Sequence, residues 1–227
     1  MKFYALDFDR TLGRTIDIAE DFMSYVGAED VAIGGVLREQ QYRIESTGGS
    51  FDMIEVLRAQ MGQRVLGECI EGFLRQYRGG PYLEDGADAL LGGIAATGHQ
   101  LGILTYGGED WQMIKLQVTE LDSYHRIILG EKGKKGALIA SWYDAERDVY
   151  QLPEELGGGT VEQVVLVDDK PLEFVGFPDT PSAHGYLYTG GVKPTVETSP
   201  QPTMGDLPSN VTVVGSLRDV VRYETLE

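Results

Sequence analysis

Apolar residues recur along the chain in two rhythms. Short runs at residues 3–6, 101–104, 127–129 and 164–167 predict buried strands, and 186–188 and 211–214 predict two more. Between them, 87–96, 111–121 and 137–143 carry apolar residues at helical spacing, and 216–223 predicts a closing helix. Glu109 and Asp110 stand at the start of the second of these helices, where the helix dipole favours acidic groups. Strand and helix in alternation predict a parallel sheet with helices on both faces.

Residues 14–80 interrupt that alternation. Ile18, Phe22, Tyr25 and Val26 form one helical stripe; Val56, Leu57 and Met61 form a second; Ile70, Phe73, Leu74 and Tyr77 form a third. The segment has no proline and predicts about four helices, broken near Gly34-Gly35 and Gly48-Gly49. Gly79-Gly80-Pro81 punctuates its end. Seven of the nine prolines lie at or after Pro171, so 194–208 is expected to be a loop with little regular structure. The organisation expected is an α/β, Rossmann-like core from 1–13 and 81–227, with a small helical insertion at 14–80.

Composition narrows the function classes. With 19 basic and 36 acidic residues in 227, the formal charge is −17, which disfavours binding to nucleic-acid backbones or anionic membranes. A single cysteine, Cys69, excludes an internal disulfide framework and a multi-cysteine zinc site. The cysteine reads as a small buried hydrophobe, and His99 and His125 as surface residues beside loops. No apolar stretch approaches a membrane span and no signal-peptide pattern opens the chain, so a cytoplasmic location is expected.

Chemistry gathers at strand ends. The first strand ends in Asp7-Phe8-Asp9-Arg10-Thr11, the second in Thr105-Tyr106-Gly107-Gly108, and the one at 164–167 in Asp168-Asp169. In an open parallel sheet these carboxyl ends share one edge, where ligands bind. Clustered carboxylates repel one another, and a hard divalent cation such as Mg²⁺, which prefers oxygen ligands, relieves this. Metal beside an activated carboxylate suggests phosphoryl transfer, for which a nearby cation is also needed. Lys132, Lys134 and Lys135, three of the chain's seven lysines, occupy one short stretch at a helix start.

In these motifs the chain resembles the haloacid dehalogenase-like phosphohydrolases. Asp7-Phe8-Asp9-Arg10-Thr11 is similar to their DxDxT motif, Thr105 to the second motif, a lysine at 132–135 to the third, and Asp168-Asp169 to the acidic fourth. The insertion at 14–80 resembles their helical cap of the C1 type. The resemblance implies Asp7 as nucleophile, Asp9 as general acid and base, and Thr105 with Tyr106 and nearby backbone N–H groups on the phosphoryl oxygens. It implies a lysine for charge balance; Lys135, in Lys135-Gly136-Ala137-Leu138, fits the motif best. It also implies Mg²⁺ held by Asp7, the Asp9 carbonyl and Asp169, with Asp168 close or sharing. Arg10 departs from the usual small residue there; it would either contact substrate phosphate or pair with an acidic neighbour. An acid at position 9 favours phosphatase or phosphomutase chemistry over dehalogenation. The expected function is Mg²⁺-dependent hydrolysis of a small phosphorylated metabolite through an aspartyl-phosphate. The alternatives are a mutase or phosphotransferase with the same site, or a phospho-acceptor module without turnover.

Overall fold

The computed structural model describes residues 1–45, 52–191 and 207–226. Six parallel strands form the main sheet: β1 (Lys2–Leu6), β2 (Gln100–Tyr106), β3 (Arg126–Leu129), β7 (Gln163–Asp168), β8 (Ala183–Tyr188) and β9 (Val211–Val214). Their spatial order is β3-β2-β1-β7-β8-β9. β1 therefore lies between β2 and β7, and the crevice at the carboxyl ends of these three strands is where the strand order reverses.

β1 shows why the sheet forms. Phe3, Tyr4, Ala5 and Leu6 are all fully buried, as expected of a strand covered on both faces. Tyr4 and Leu6 join the larger core with Ile103, Val165 and Val167, whereas Phe3 and Ala5 point into a second core with Leu104, Val164 and Leu166. The first core is closed by α4 (Ala87–Ala96), α5 (Glu109–Val118) and α7 (Leu217–Tyr223). The second is closed by α6 (Lys135–Ser141), by Tyr150 and Val161 of a small antiparallel sheet, and by Leu152 just after its middle strand. That sheet, β4 (Tyr143–Asp144), β5 (Val149–Gln151) and β6 (Thr160–Val161), was not expected. Strands of two or three residues are too short to establish an alternation in sequence.

The expected parallel α/β architecture is thus observed. Within 14–80 stand α1 (Thr15–Glu29), α2 (Val31–Glu45) and α3 (Met53–Tyr77), three helices among the described residues where about four are expected. The difference lies partly in α3, where Gly62 takes φ 74° and kinks the helix into two pieces. Gly34-Gly35 does not break the chain but sits inside α2, and the break comes at Asp30. The reason is close packing: a Cβ on Gly34 would lie 2.8 Å from the Gly27 Cα of α1. The break expected at Gly48-Gly49, and most of the loop expected at 194–208, lie outside the described residues. Phe22 of α1 meets Phe73 of α3 at 4.8 Å and Trp111 of α5 at 5.3 Å, so the apolar core runs from these helices onto the sheet. Cys69 is only half-buried against that core, and His99 is half-buried, stacked on Tyr4 at 5.9 Å. No helix among the described residues is long and apolar enough to cross a membrane.

The C-terminal helix is fastened by one carboxylate. Glu224 accepts hydrogen bonds from Tyr4 Oη (3.0 Å), Tyr186 Oη (2.7 Å) and Lys2 Nζ (2.7 Å). Burial opposes its ionisation, but Lys2 and the two tyrosines hold it below the usual carboxylate range. A depressed carboxylate stabilises the fold above its unfolded pKa of about 4.3, and that stabilisation is lost as pH falls through the lower folded value. Glu224→Gln should therefore cost about 2 kcal/mol of unfolding free energy at pH 7, measured by urea denaturation. The gap from the parent protein should narrow below about pH 4; a gap constant with pH would show that the charge is not what matters.

Candidate active site

The site begins with the turn that follows β1. The Phe8 carbonyl accepts from the N–H groups of Leu12 (3.1 Å) and Gly13 (2.8 Å), and Arg10 N–H donates to the Gly13 carbonyl (2.9 Å). Closing this compact loop puts Arg10 in the left-handed region, φ 66°. The Asp7 N–H donates to the Val167 carbonyl (2.9 Å), which continues the β1–β7 ladder by one residue. This register sets Asp7 beside Asp168, which closes β7.

Both are buried, at 1% and 0% exposure, and one cation serves them. Lys135 Nζ lies 2.5 Å from Asp7 Oδ1 and 2.6 Å from Asp168 Oδ2. Burial alone would push this ammonium toward neutrality; Asp168 and Asp7 outweigh it and raise the lysine above its usual range, so it stays charged. Asp168 is raised by burial and by the charge of Asp7, against the pull of Lys135. Lys135 is held in turn by Glu173, whose carboxylate accepts from the backbone N–H groups of Gly133 (2.9 Å) and Lys135 (3.3 Å). The next residue must be glycine, because a Cβ on Gly136 would lie 2.6 Å from the Val175 carbonyl and 2.9 Å from that of Glu173. Of the three candidate lysines, Lys135 alone reaches Asp7. Lys134 pairs with Glu131 at the surface, and Lys132 lies over the Tyr106 ring at 5.4 Å.

The other predicted residues surround this pair. Thr105, near the end of β2, is fully buried, and its hydroxyl has no hydrogen-bond partner among the described residues. Tyr106 lies at the cavity wall; the Gly107 N–H next to it is committed to the Leu129 carbonyl (3.1 Å). Asp169 Oδ2 pairs with Arg10 (3.1 Å), whereas Asp169 Oδ1 accepts no hydrogen bond and has the Lys170 ammonium at 3.4 Å. Both oxygens of Asp168 are occupied, by Lys135 Nζ and by the Lys170 N–H (2.9 Å). Asp7, Asp168 and Asp169 each offer a carboxylate oxygen, all within 4.8 Å of one another. An all-oxygen set in which Asp169 Oδ1 accepts no hydrogen bond suits a hard divalent cation.

Asp9 does not share this cluster. Its carboxylate turns to α5, where Lys115 and Gln112 engage it. Burial would raise its pKa, but Lys115 and Gln112 prevail and hold it below the usual range. It faces a cavity of about 420 Å³ between the sheet edge and α1 and α3, walled also by Met23, Met53, Trp111, Lys115 and Lys132.

Several functional candidates were missed from sequence. Thr11, in the first motif, donates its hydroxyl to Asp7 Oδ2 (2.9 Å). Lys170 directly follows the acidic pair, and that adjacency was a readable signal. Glu173, Gln112 and Lys115 carried none, because buried polar residues on helices read as solvated faces until the packing is known.

Comparison of sequences finds no matching family model and no matching curated protein. Comparison of structures does find proteins of similar fold. A protein from Burkholderia xenovorans described as a haloacid dehalogenase-like hydrolase superposes with TM-score 0.64 at 17% identity, over 99% of this chain and 96% of that one. The chain has the haloacid dehalogenase-like fold. The same fold relates it to L-2-haloacid dehalogenase from Xanthobacter autotrophicus, with TM-score 0.51, 16% identity, and 99% and 98% of the two chains covered. A Thermotoga maritima protein described as a beta-phosphoglucomutase gives 0.52 at 13% identity, over 99% of each chain. The haloacid dehalogenase-like fold thus accounts for the convergence of β1, β2 and β7 at one edge, and at these identities for nothing finer.

The buried ion cluster makes a stability prediction. Lys135→Met should lower the unfolding free energy by about 3 kcal/mol, because it leaves Asp7 and Asp168 without their cation. Lys134→Met should stay within about 0.5 kcal/mol of the parent. Equal effects in guanidinium titrations would mean that the cluster does not hold the fold.

Proposed function

We propose that the protein is a Mg²⁺-dependent phosphomonoester hydrolase that works through an aspartyl-phosphate on Asp7, with residues 14–80 as its cap. One observation carries this reading: Asp7 is buried and oriented by Lys135 and Thr11 in a carboxylate cluster whose Asp169 Oδ1 accepts no hydrogen bond, and the buried Thr105 hydroxyl near the end of the adjacent strand has no partner among the described residues. A buried hydroxyl without a hydrogen bond costs about 1–3 kcal/mol, which a phosphoryl oxygen would relieve, and a divalent cation would neutralise the Asp169 oxygen, which has an ammonium at 3.4 Å but no hydrogen bond.

Asp7 attacks phosphorus, and the bond from phosphorus to the leaving oxygen breaks as an acyl phosphate forms. Asp9, at the cavity wall, gives a proton to the leaving oxygen. Water then attacks the same phosphorus and returns its proton to Asp9; inorganic phosphate leaves and Asp7 is restored. The pairing with Lys115 favours ionised Asp9, the form that takes the proton from water. An incoming phosphate dianion adds negative charge beside it and raises its proton affinity for the first half-reaction. Thr105 and Lys135 stabilise the transferring oxygens as charge develops on them. Mg²⁺, held by Asp7, the Asp9 carbonyl and Asp169, would neutralise charge on the phosphoryl group. Since Asp168 has both oxygens occupied, its support for the metal is indirect.

An acid at position 9 supports phosphate chemistry over dehalogenation. A cavity of about 420 Å³ suits a small metabolite. The test is release of phosphate from p-nitrophenyl phosphate with Mg²⁺ and with excess chelator. Activity should need the metal and fall at least 10³-fold in Asp7→Asn; equal turnover by the parent and Asp7→Asn would refute the assignment. Mg²⁺ should also raise the melting temperature of the parent, by mass action on the folded state, and leave Asp169→Asn unmoved.

A further inference from the structure

The helix after the second strand carries two buried polar residues, of which the mechanism above uses only the charge of Lys115. Gln112 and Lys115 lie three apart on α5, on the same face of the helix. Both are buried, at 2% and 4% exposure, where glutamine and lysine seldom sit without a partner. Their partner is Asp9. Gln112 Nε2 donates to Asp9 Oδ2 (2.8 Å) and to the Tyr106 carbonyl (2.6 Å), which ties the amide to the end of β2. The Lys115 ammonium donates to Asp9 Oδ1, with the rings of Phe8 and Trp111 at 5.7 and 5.8 Å. The carboxylate of Asp9 is thus gripped at both oxygens, by one helix. That grip is separate from the one on Asp7, which uses Lys135 and Thr11.

We infer that Lys115 and Gln112 are positioning residues for Asp9, aiming its carboxylate across the cavity at the leaving oxygen of the substrate. The inference rests on the phosphatase reading above and adds two residues to it. A freely rotating Asp9 would spend only part of its time in reach of that oxygen. Two donors on a helix fix the carboxylate in one orientation, and the ring contacts restrict the lysine in turn. Neither residue touches Asp7, Asp168 or Asp169 through any described ion pair or hydrogen bond, so its loss should spare the nucleophile; losing the Lys115 charge from the cavity wall weakens both esters alike, whereas a misaimed Asp9 does not.

That separation supplies the test. p-Nitrophenyl phosphate and phenyl phosphate have nearly the same shape, but phenolate is the more basic leaving group and depends more on a proton donor. Their kcat/KM values report the steps up to departure of the leaving group. In Lys115→Met, kcat/KM for phenyl phosphate should fall about 10²-fold and that for p-nitrophenyl phosphate less than about tenfold. Gln112→Leu should skew the two esters in the same direction, and Lys115→Arg, which keeps a cationic donor, should recover part of the phenyl phosphate loss. If the parent cleaves both esters and Lys115→Met loses the same factor on each, or loses nothing, the inference is wrong while the phosphatase reading stands. If the parent cleaves neither ester with Mg²⁺ present, the phosphatase reading is wrong and the inference falls with it.

Discussion

The Lys135 ammonium lies between Asp7 and Asp168, and the architecture of the site depends on that placement. Parallel strands β1 and β7 run side by side, so residues that end them are neighbours whatever their chemistry. Two ionised carboxylates about 5 Å apart repel by roughly 3 kcal/mol at the effective dielectric usual for such sites. A buried cation within hydrogen-bond distance of both turns this repulsion into attraction. The cation is itself fixed: Glu173 holds the backbone of Gly133 and Lys135, and Gly136 lets the chain pass against the segment around Val175. Remote parts of the sequence, from residues 7, 135, 168 and 173, thus form one electrostatic unit.

The same logic separates the two aspartates of the first motif. Asp7 and Asp9 are two residues apart, yet they belong to different networks. Asp7 looks to Lys135 and Thr11, beneath the sheet edge; Asp9 looks to Gln112 and Lys115, beside the cavity. Each carboxylate pairs with its own lysine, so two groups of one chemical kind are held apart and can take different roles. The formal charge of −17 is compatible with an anionic substrate for this reason. Lys115, Lys132, Lys135 and Lys170 all lie at this edge, so most of the chain's few lysines are spent on one site.

Much of this was legible in the sequence, for a physical reason. Strands buried on both faces must be apolar runs, and a run such as Val164 to Val167 that stops at Asp168-Asp169 marks both the strand and its functional end. Lys135 was readable from the glycine that follows it. Other features depend on packing partners that spacing does not disclose. Gly34-Gly35 reads as a break in isolation, but with Gly27 opposite it is a close helix contact. Lys115 reads as a solvated helix residue, and only the position of Asp9 shows why it is buried. The three short antiparallel strands are held by tertiary packing around Tyr150 and leave almost no local pattern.

On the proposed mechanism Asp7 becomes covalently phosphorylated during turnover, and acid quenching captures that adduct. The protein, turning over p-nitrophenyl phosphate with Mg²⁺, is quenched in acid within milliseconds, digested, and its peptides are weighed by mass spectrometry. A phosphoryl adduct is expected on the peptide that contains Asp7, formed during turnover and absent when substrate is omitted. Turnover without any adduct on that peptide, or with the adduct on another residue, would contradict it.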